Sequence, residues 1–122
     1  MAQRIIDTVT GVVSTTDAAT TATVASFTIP SGSAFFAKAA VIGRNTSTGD
    51  MTRAELTHQG KNVAGTLSLV GSLGTPLVLG GDAGLATCTA IIDSSGTSIR
   101  VRVSGVALTT IEWMTELRVW LN

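Results

Sequence analysis

Apolar and polar residues alternate with a period of two along most of the chain, the signature of strands with one buried and one wet face. The pattern is clearest towards the C-terminal end. Between Thr97 and Ser104, Ile99, Val101 and Val103 share one face while Arg100 and Arg102 take the other. Between Thr109 and Leu121, Ile111, Trp113, Leu117, Val119 and Leu121 lie on one side, opposite Glu112, Glu116 and Arg118. Gly105 and the short stretch to Leu108 join these segments, which predicts an antiparallel hairpin.

The same reading extends upstream. Ile5 to Thr15 is weakly patterned and broken by Gly11, so it reads as a first strand or as an extended arm within residues 1–20. Thr21 to Ile29 is a strand ended by Pro30-Ser31-Gly32-Ser33, a turn sequence. Phe35 to Arg44 carries apolar residues on both faces, which predicts a central strand. After the loop Asn45–Asp50, Met51 to Gln59 points Ala54 and Leu56 inward and Arg53 and Glu55 outward. Gly60-Lys61-Asn62 reads as its turn and Val63 to Val70 as the next strand. Leu77-Val78-Leu79 stands between the glycine-rich stretches Gly71–Pro76 and Gly80–Gly84, and Leu85 to Ile92 is a strand closed by Asp93-Ser94-Ser95-Gly96. No segment of helical length carries a 3.6-residue period. The expected fold class is all-β, an antiparallel β-sandwich or jelly roll of about seven or eight short strands, with residues 21–122 forming one domain.

Composition narrows the chemistry. The 122 residues suit one domain, and eight Lys+Arg balance eight Asp+Glu. A neutral chain lacks the basic surplus that nucleic acid or an anionic membrane demands, so neither is an expected partner. The longest apolar runs, such as Ala39-Ala40-Val41-Ile42, are too short to span a bilayer, and Asp7 interrupts any secretory signal core. A single cysteine, Cys88, rules out an intrachain disulfide and offers no metal framework.

Catalysis needs titratable groups brought together, and none is visible. His58 lies between Thr57 and Gln59 without an acid or thiol neighbour and reads as a surface or rim histidine. Cys88, among small residues, reads as a buried small hydrophobe. Gly80-Gly81-Asp82-Ala83-Gly84 lacks the Lys-Ser/Thr and the helix of a phosphate loop, and Asp50 and Asp82 are too isolated for a calcium site. Arg100 and Arg102 form a solvated pair with Glu112 or Glu116 as expected partners across the hairpin. No enzymatic activity, metal or cofactor is expected.

The informative anomaly is apolar. Met114 and Trp120 share the outward face of the last strand with its charges, and only 13% of the chain is charged while mean hydropathy is +0.42. Methionine and tryptophan are enriched at interface centres, so an interface is expected at Met114 and Trp120, with Ile5, Ile6 and Val9 of the arm contributing. The alternative is that the arm covers the last strand.

Four stretches resemble a β-rich domain family of tailed-bacteriophage structural proteins. They are Phe36-Ala37-Lys38-Ala39-Ala40-Val41-Ile42-Gly43-Arg44-Asn45 with its Thr/Ser/Gly loop, the glycine-rich middle, the turn Asp93–Thr97, and Ile99 to Trp113 with its alternating Val and Arg. The resemblance implies a virion structural protein without catalytic motif that assembles as a homo-oligomer, often a trimer. Two roles follow from it. As a capsid decoration (cement) protein, made in the host bacterial cytoplasm, the chain would bind the major capsid protein on the shell and stabilise it by mass action. One short module with no fibre shaft favours that role. As a tail-fibre or host-adhesion domain, it would bind a host-surface glycan, with the Asn45–Asp50 loop best supplied in polar groups.

Overall fold

The computed structural model describes residues 5–70 and 78–122. The stretch predicted as glycine-rich at 71–76, Leu77, and residues 1–4 of the predicted arm lie outside the described residues. Among the described residues nine strands, numbered in chain order, are β1 (Ile5–Thr15), β2 (Ala22–Thr28), β3 (Ala34–Asn45), β4 (Met51–Val63), β5 (Thr66–Leu69), β6 (Val78–Gly81), β7 (Thr89–Ser95), β8 (Ser98–Ser104) and β9 (Ile111–Leu121). They form two antiparallel sheets, as the period-two pattern predicts.

The large sheet runs β1-β9-β3-β4-β5, and β6 pairs with β4 beside β5 on the same edge. The small sheet runs β2-β8-β7. It covers one face only of the large sheet, with β2 over β1 and β9 and β7 over β4. The core lies between the sheets: Ala37, Ala39 and Val41 of β3, Leu56 of β4, Trp113, Leu117 and Val119 of β9, and Ile99, Val101 and Val103 of β8. Each fully buried Val, Leu or Ile among these stabilises the fold by roughly 1.5–3 kcal/mol relative to exposure.

Several sequence expectations need correction. Gly60, Lys61 and Asn62 continue β4, and the reversal falls at Ala64 and Gly65, whose φ values of 53° and 87° suit a tight hairpin. Gly60 is present because any side chain there would run into the Ser68 carbonyl oxygen of β5. Leu85 lies in a 3₁₀ turn (Ala83–Leu85), so β7 starts only at Thr89. The expected hairpin between β8 and β9 does not exist, because the two strands belong to different sheets and Gly105–Thr110 crosses between layers. Gly11 does not break β1; Ile5 to Thr15 pairs along its whole length with β9. Residues 5–15 form an edge strand of the large sheet.

Buried polar groups tie neighbouring strands and turns. Trp113 Nε1 donates to Thr15 Oγ1 at 2.9 Å, fixing the indole between β9 and β1. Asn62 donates to the Ile29 carbonyl at 2.7 Å and accepts from Gly65 N–H at 3.0 Å, joining two turns. Thr115 donates to the Ala40 carbonyl at 2.7 Å. A Thr15→Val variant keeps the volume but leaves the buried indole N–H unpaired, and should lose about 1–3 kcal/mol in chemical denaturation; an unchanged midpoint would contradict this.

Candidate functional site

The small sheet leaves the other face of the large sheet uncovered. Cross-strand register arranges the side chains of this outer face into rows. Ile6, Trp120, Phe36 and Gln59 are successive neighbours in the first row, followed by Thr8, Arg118, Lys38 and Thr57. The third row is Thr10, Glu116, Ala40 and Glu55, and the fourth Val12, Met114, Ile42 and Arg53. Ser14, Glu112, Arg44 and Met51 complete the face. Two rows that are apolar except for Gln59 and Arg53 at their β4 ends therefore flank a positive row and a negative row.

The apolar side chains are open to solvent: Val12 is 73% exposed, Ile6 63% and Met114 55%, and Ile42 and Phe36 are also exposed. The Phe36 and Trp120 rings touch, with centroids 5.3 Å apart. Small Ala40 leaves a depression of about 360 Å³ in the middle of the face, bordered by Glu55, Glu116, Met114 and Ile42. Arg118 pairs with Glu116 at 2.9 Å and Arg44 with Glu112 at 3.4 Å. Among the described residues Lys38 and Glu55 have no ion-pair partner. A monomer rarely leaves so much apolar surface in one place, so this face is the candidate functional surface.

Of the residues singled out from sequence, Met114, Trp120 and Ile6 meet on this face. Ile5 sits at the open end of the sandwich beside Trp120 and Leu121. Val9 points the other way, packed against the core, because it shares the parity of Gly11 and Val13 on β1. Within the described residues the arm does not cover the last strand: β1 lies beside β9. Phe36, Ile42 and Val12 were missed as surface residues. The signal was the two-sided apolar pattern of β3, which reads equally as burial on both faces.

The remaining candidates serve the fold. His58 is 2% exposed, not at the rim, and neither ring nitrogen has a hydrogen-bond partner. Burial lowers its pKa from 6.5, against a smaller opposing pull from Asp93. Cys88 is buried, and burial raises its thiol pKa. Arg100 and Arg102 pair with Asp93 across the β7–β8 hairpin, not with Glu112 or Glu116, which lie on the other sheet. Partial burial pushes the Asp93 carboxyl up, but hydrogen bonds and charge from both arginines outweigh it and hold the pKa below its ordinary value. In the Asn45–Asp50 loop, Asn45 Oδ1 accepts from Ser47 and Thr48 N–H at 2.8 and 3.3 Å, so its acceptor is used within the loop. Asp82 accepts from Met51 N–H at 3.0 Å and anchors its own turn. Among the described residues no three His, Cys, Asp or Glu side chains cluster to hold a metal, and no helix is long and apolar enough to cross a membrane.

No protein-family profile and no curated protein matches the sequence. Solved structures do match the fold. The tailspike protein of Acinetobacter baumannii phage AM24 superposes with a TM-score of 0.60 at 12% identity, over 94% of this chain and 26% of the tailspike. Tailspike protein gp49 of Acinetobacter baumannii bacteriophage Fri1, a capsular polysaccharide depolymerase, gives 0.52 at 13% identity, over 98% of this chain and 19% of the tailspike. The chain thus spans about a quarter or less of the length of these tailspikes, and it is similar in fold to part of two bacteriophage structural proteins.

Proposed function

We propose that the chain is a non-catalytic module of a phage tail adhesion apparatus that assembles through the outer face of its large sheet and meets a host-surface glycan. The observation that carries this reading is the fold correspondence, over 94% of the chain, with a tailspike. A second tailspike of similar fold is described as a capsular polysaccharide depolymerase, which supports a glycan as the ligand class. Both neighbours belong to the tail side of a virion, which favours the tail over capsid decoration. A structural role is supported by His58 and Cys88, the side chains best suited to catalysis, both being buried.

The two outer faces divide the work. The large sheet presents Ile6, Phe36, Ile42, Met114 and Trp120, chemistry that suits a protein surface. The small sheet presents Thr23, Ser26, Thr28, Asp93, Arg100 and Arg102, whose hydroxyl, carboxylate and guanidinium groups suit sugar hydroxyls and sugar acids. Antibody-gold labelling of virions is expected to mark the tail, and label on the shell would overturn the tail assignment. The purified chain is expected to bind host capsular polysaccharide saturably in calorimetry and to delay phage adsorption. Absence of both effects would remove the glycan from the proposal.

A further inference from the structure

We propose that the outer face of the large sheet is closed by a second copy of this chain, related by a two-fold axis. The axis lies in the interface and crosses the strands between the Lys38–Arg118 row and the Glu116–Ala40–Glu55 row. The rows of the face run apolar, positive, negative, apolar, and that sequence is self-complementary under this operation. Rotation carries the first row onto the fourth and the second onto the third while keeping each strand over its own counterpart, so each contact of residue i with residue j recurs as j with i, which makes the contact isologous. Trp120 then meets Met114 of the other copy and Phe36 meets Ile42.

Lys38, which has no ion-pair partner in its own chain among the described residues, lands over the Ala40 depression of the other copy, between Glu55 and Glu116. The contact occurs twice, once in each direction. Arg44 and Glu112 fall at the rim, already paired with each other. A three-fold assembly with its axis along the strands would instead set each row against itself, bringing Lys38 and Arg118 of every copy together. Like charges placed opposite one another are destabilising, so the charge pattern favours two copies over three.

The area lies at the lower limit for a specific contact. Four strands at roughly 4.8 Å spacing and four overlapping rows at roughly 6.8 Å intervals give about 500 Å² in projection per copy, or about 1,000 Å² for the pair, near the threshold of a specific interface. The sheets would pack face to face with strands about 30° apart, as aligned sheets do. This pairing follows from the face alone and holds whichever part of the virion carries the chain.

Sedimentation equilibrium over a concentration series is expected to show a monomer–dimer equilibrium for the unaltered chain. Lys38→Glu should weaken the dimer by roughly tenfold or more, and so should the double variant Glu55→Lys, Glu116→Lys, because each sets like charges against each other. All three substitutions are at solvent-facing positions of the sheet, and circular dichroism checks that the fold is kept. An equimolar mixture of the two variants should recover a heterodimer, since the Lys38 contact becomes complementary in both directions and only one Arg118 is left facing a Glu116→Lys position. A trimer, a monomer at every concentration, or charge variants that dimerise like the unaltered chain would each overturn the proposal, as would a mixture that stays monomeric.

Discussion

A Gly11→Ala variant should lose about 3 kcal/mol or more of stability, the upper end of overpacking costs, because the site cannot relax. Gly11 sits on β1 where β2 passes over it, and an added methyl would occupy the space of the Val24 carbonyl oxygen. Val24 is the residue at which the β2–β8 register shifts, so a bulge aims its carbonyl into the large sheet. Backbone blocks the methyl, and only separation of the two layers would make room. The apparent melting temperature should fall by about 10–25 °C for a domain of this size. Gly80→Ala is the matched control: nothing lies within 4 Å of its added methyl and its φ is not in the left-handed region, so its change should stay within about 0.5 kcal/mol. Equal behaviour of the two variants would refute the close-approach account.

The second large effect is in pH. His58 is the only histidine, is buried, and is held neutral because burial lowers its pKa below 6.5. The unfolded chain therefore binds a proton that the folded chain refuses. Stability from this group is complete above about pH 6.5 and is lost as the pH falls from there through the folded pKa. Asp93 acts lower: its folded pKa lies below 3.8, so its contribution is intact near neutrality and disappears only as the pH falls below that value. Melting temperature should thus drop between pH 7 and pH 5 through His58 alone. A His58→Leu variant removes two unpartnered buried nitrogens and should gain on the order of 1 kcal/mol at pH 7. It should also flatten the dependence between pH 7 and pH 5. A histidine ring titrating at 6.5 or above by NMR in the folded protein would contradict the assignment.

His58 marks where sequence and structure part. Its place on the inner face was legible, because it shares parity with Ala54 and Leu56, which the alternation correctly points inward. Residue type argued the other way, since a histidine with no partner is costly to bury, and the burial pattern of the strand overrode it. Glycine misled twice. Gly11 and Gly60 look like breaks, yet both sit inside strands at points where another backbone approaches. The β8–β9 connection looks like a hairpin because local spacing carries no information about which sheet a strand joins. The candidate face was half legible. Met114 and Trp120 follow from the alternation of β9 alone, whereas their rows with Phe36, Ile42 and Val12 exist only once β3 and β1 are in register beside β9. Register between segments distant in sequence is set by three-dimensional packing, and no local pattern contains it.

The position of β9 between β1 and β3 also governs the order in which the molecule can be made. During synthesis β1 emerges well before the strand it pairs with, Ile111 to Leu121, which is translated after every other strand described here. The β3–β4 and β7–β8 pairs can close early at low entropic cost, but joining Ile5 to Leu121 closes a loop of nearly the whole sequence. Until residues 111–121 are made, the threonine-rich β1 has no β9 to pair with, whereas β3–β4–β5 and β7–β8 already hold all their own strands. Addition of β9 is the step that joins β1 to β3 in the large sheet.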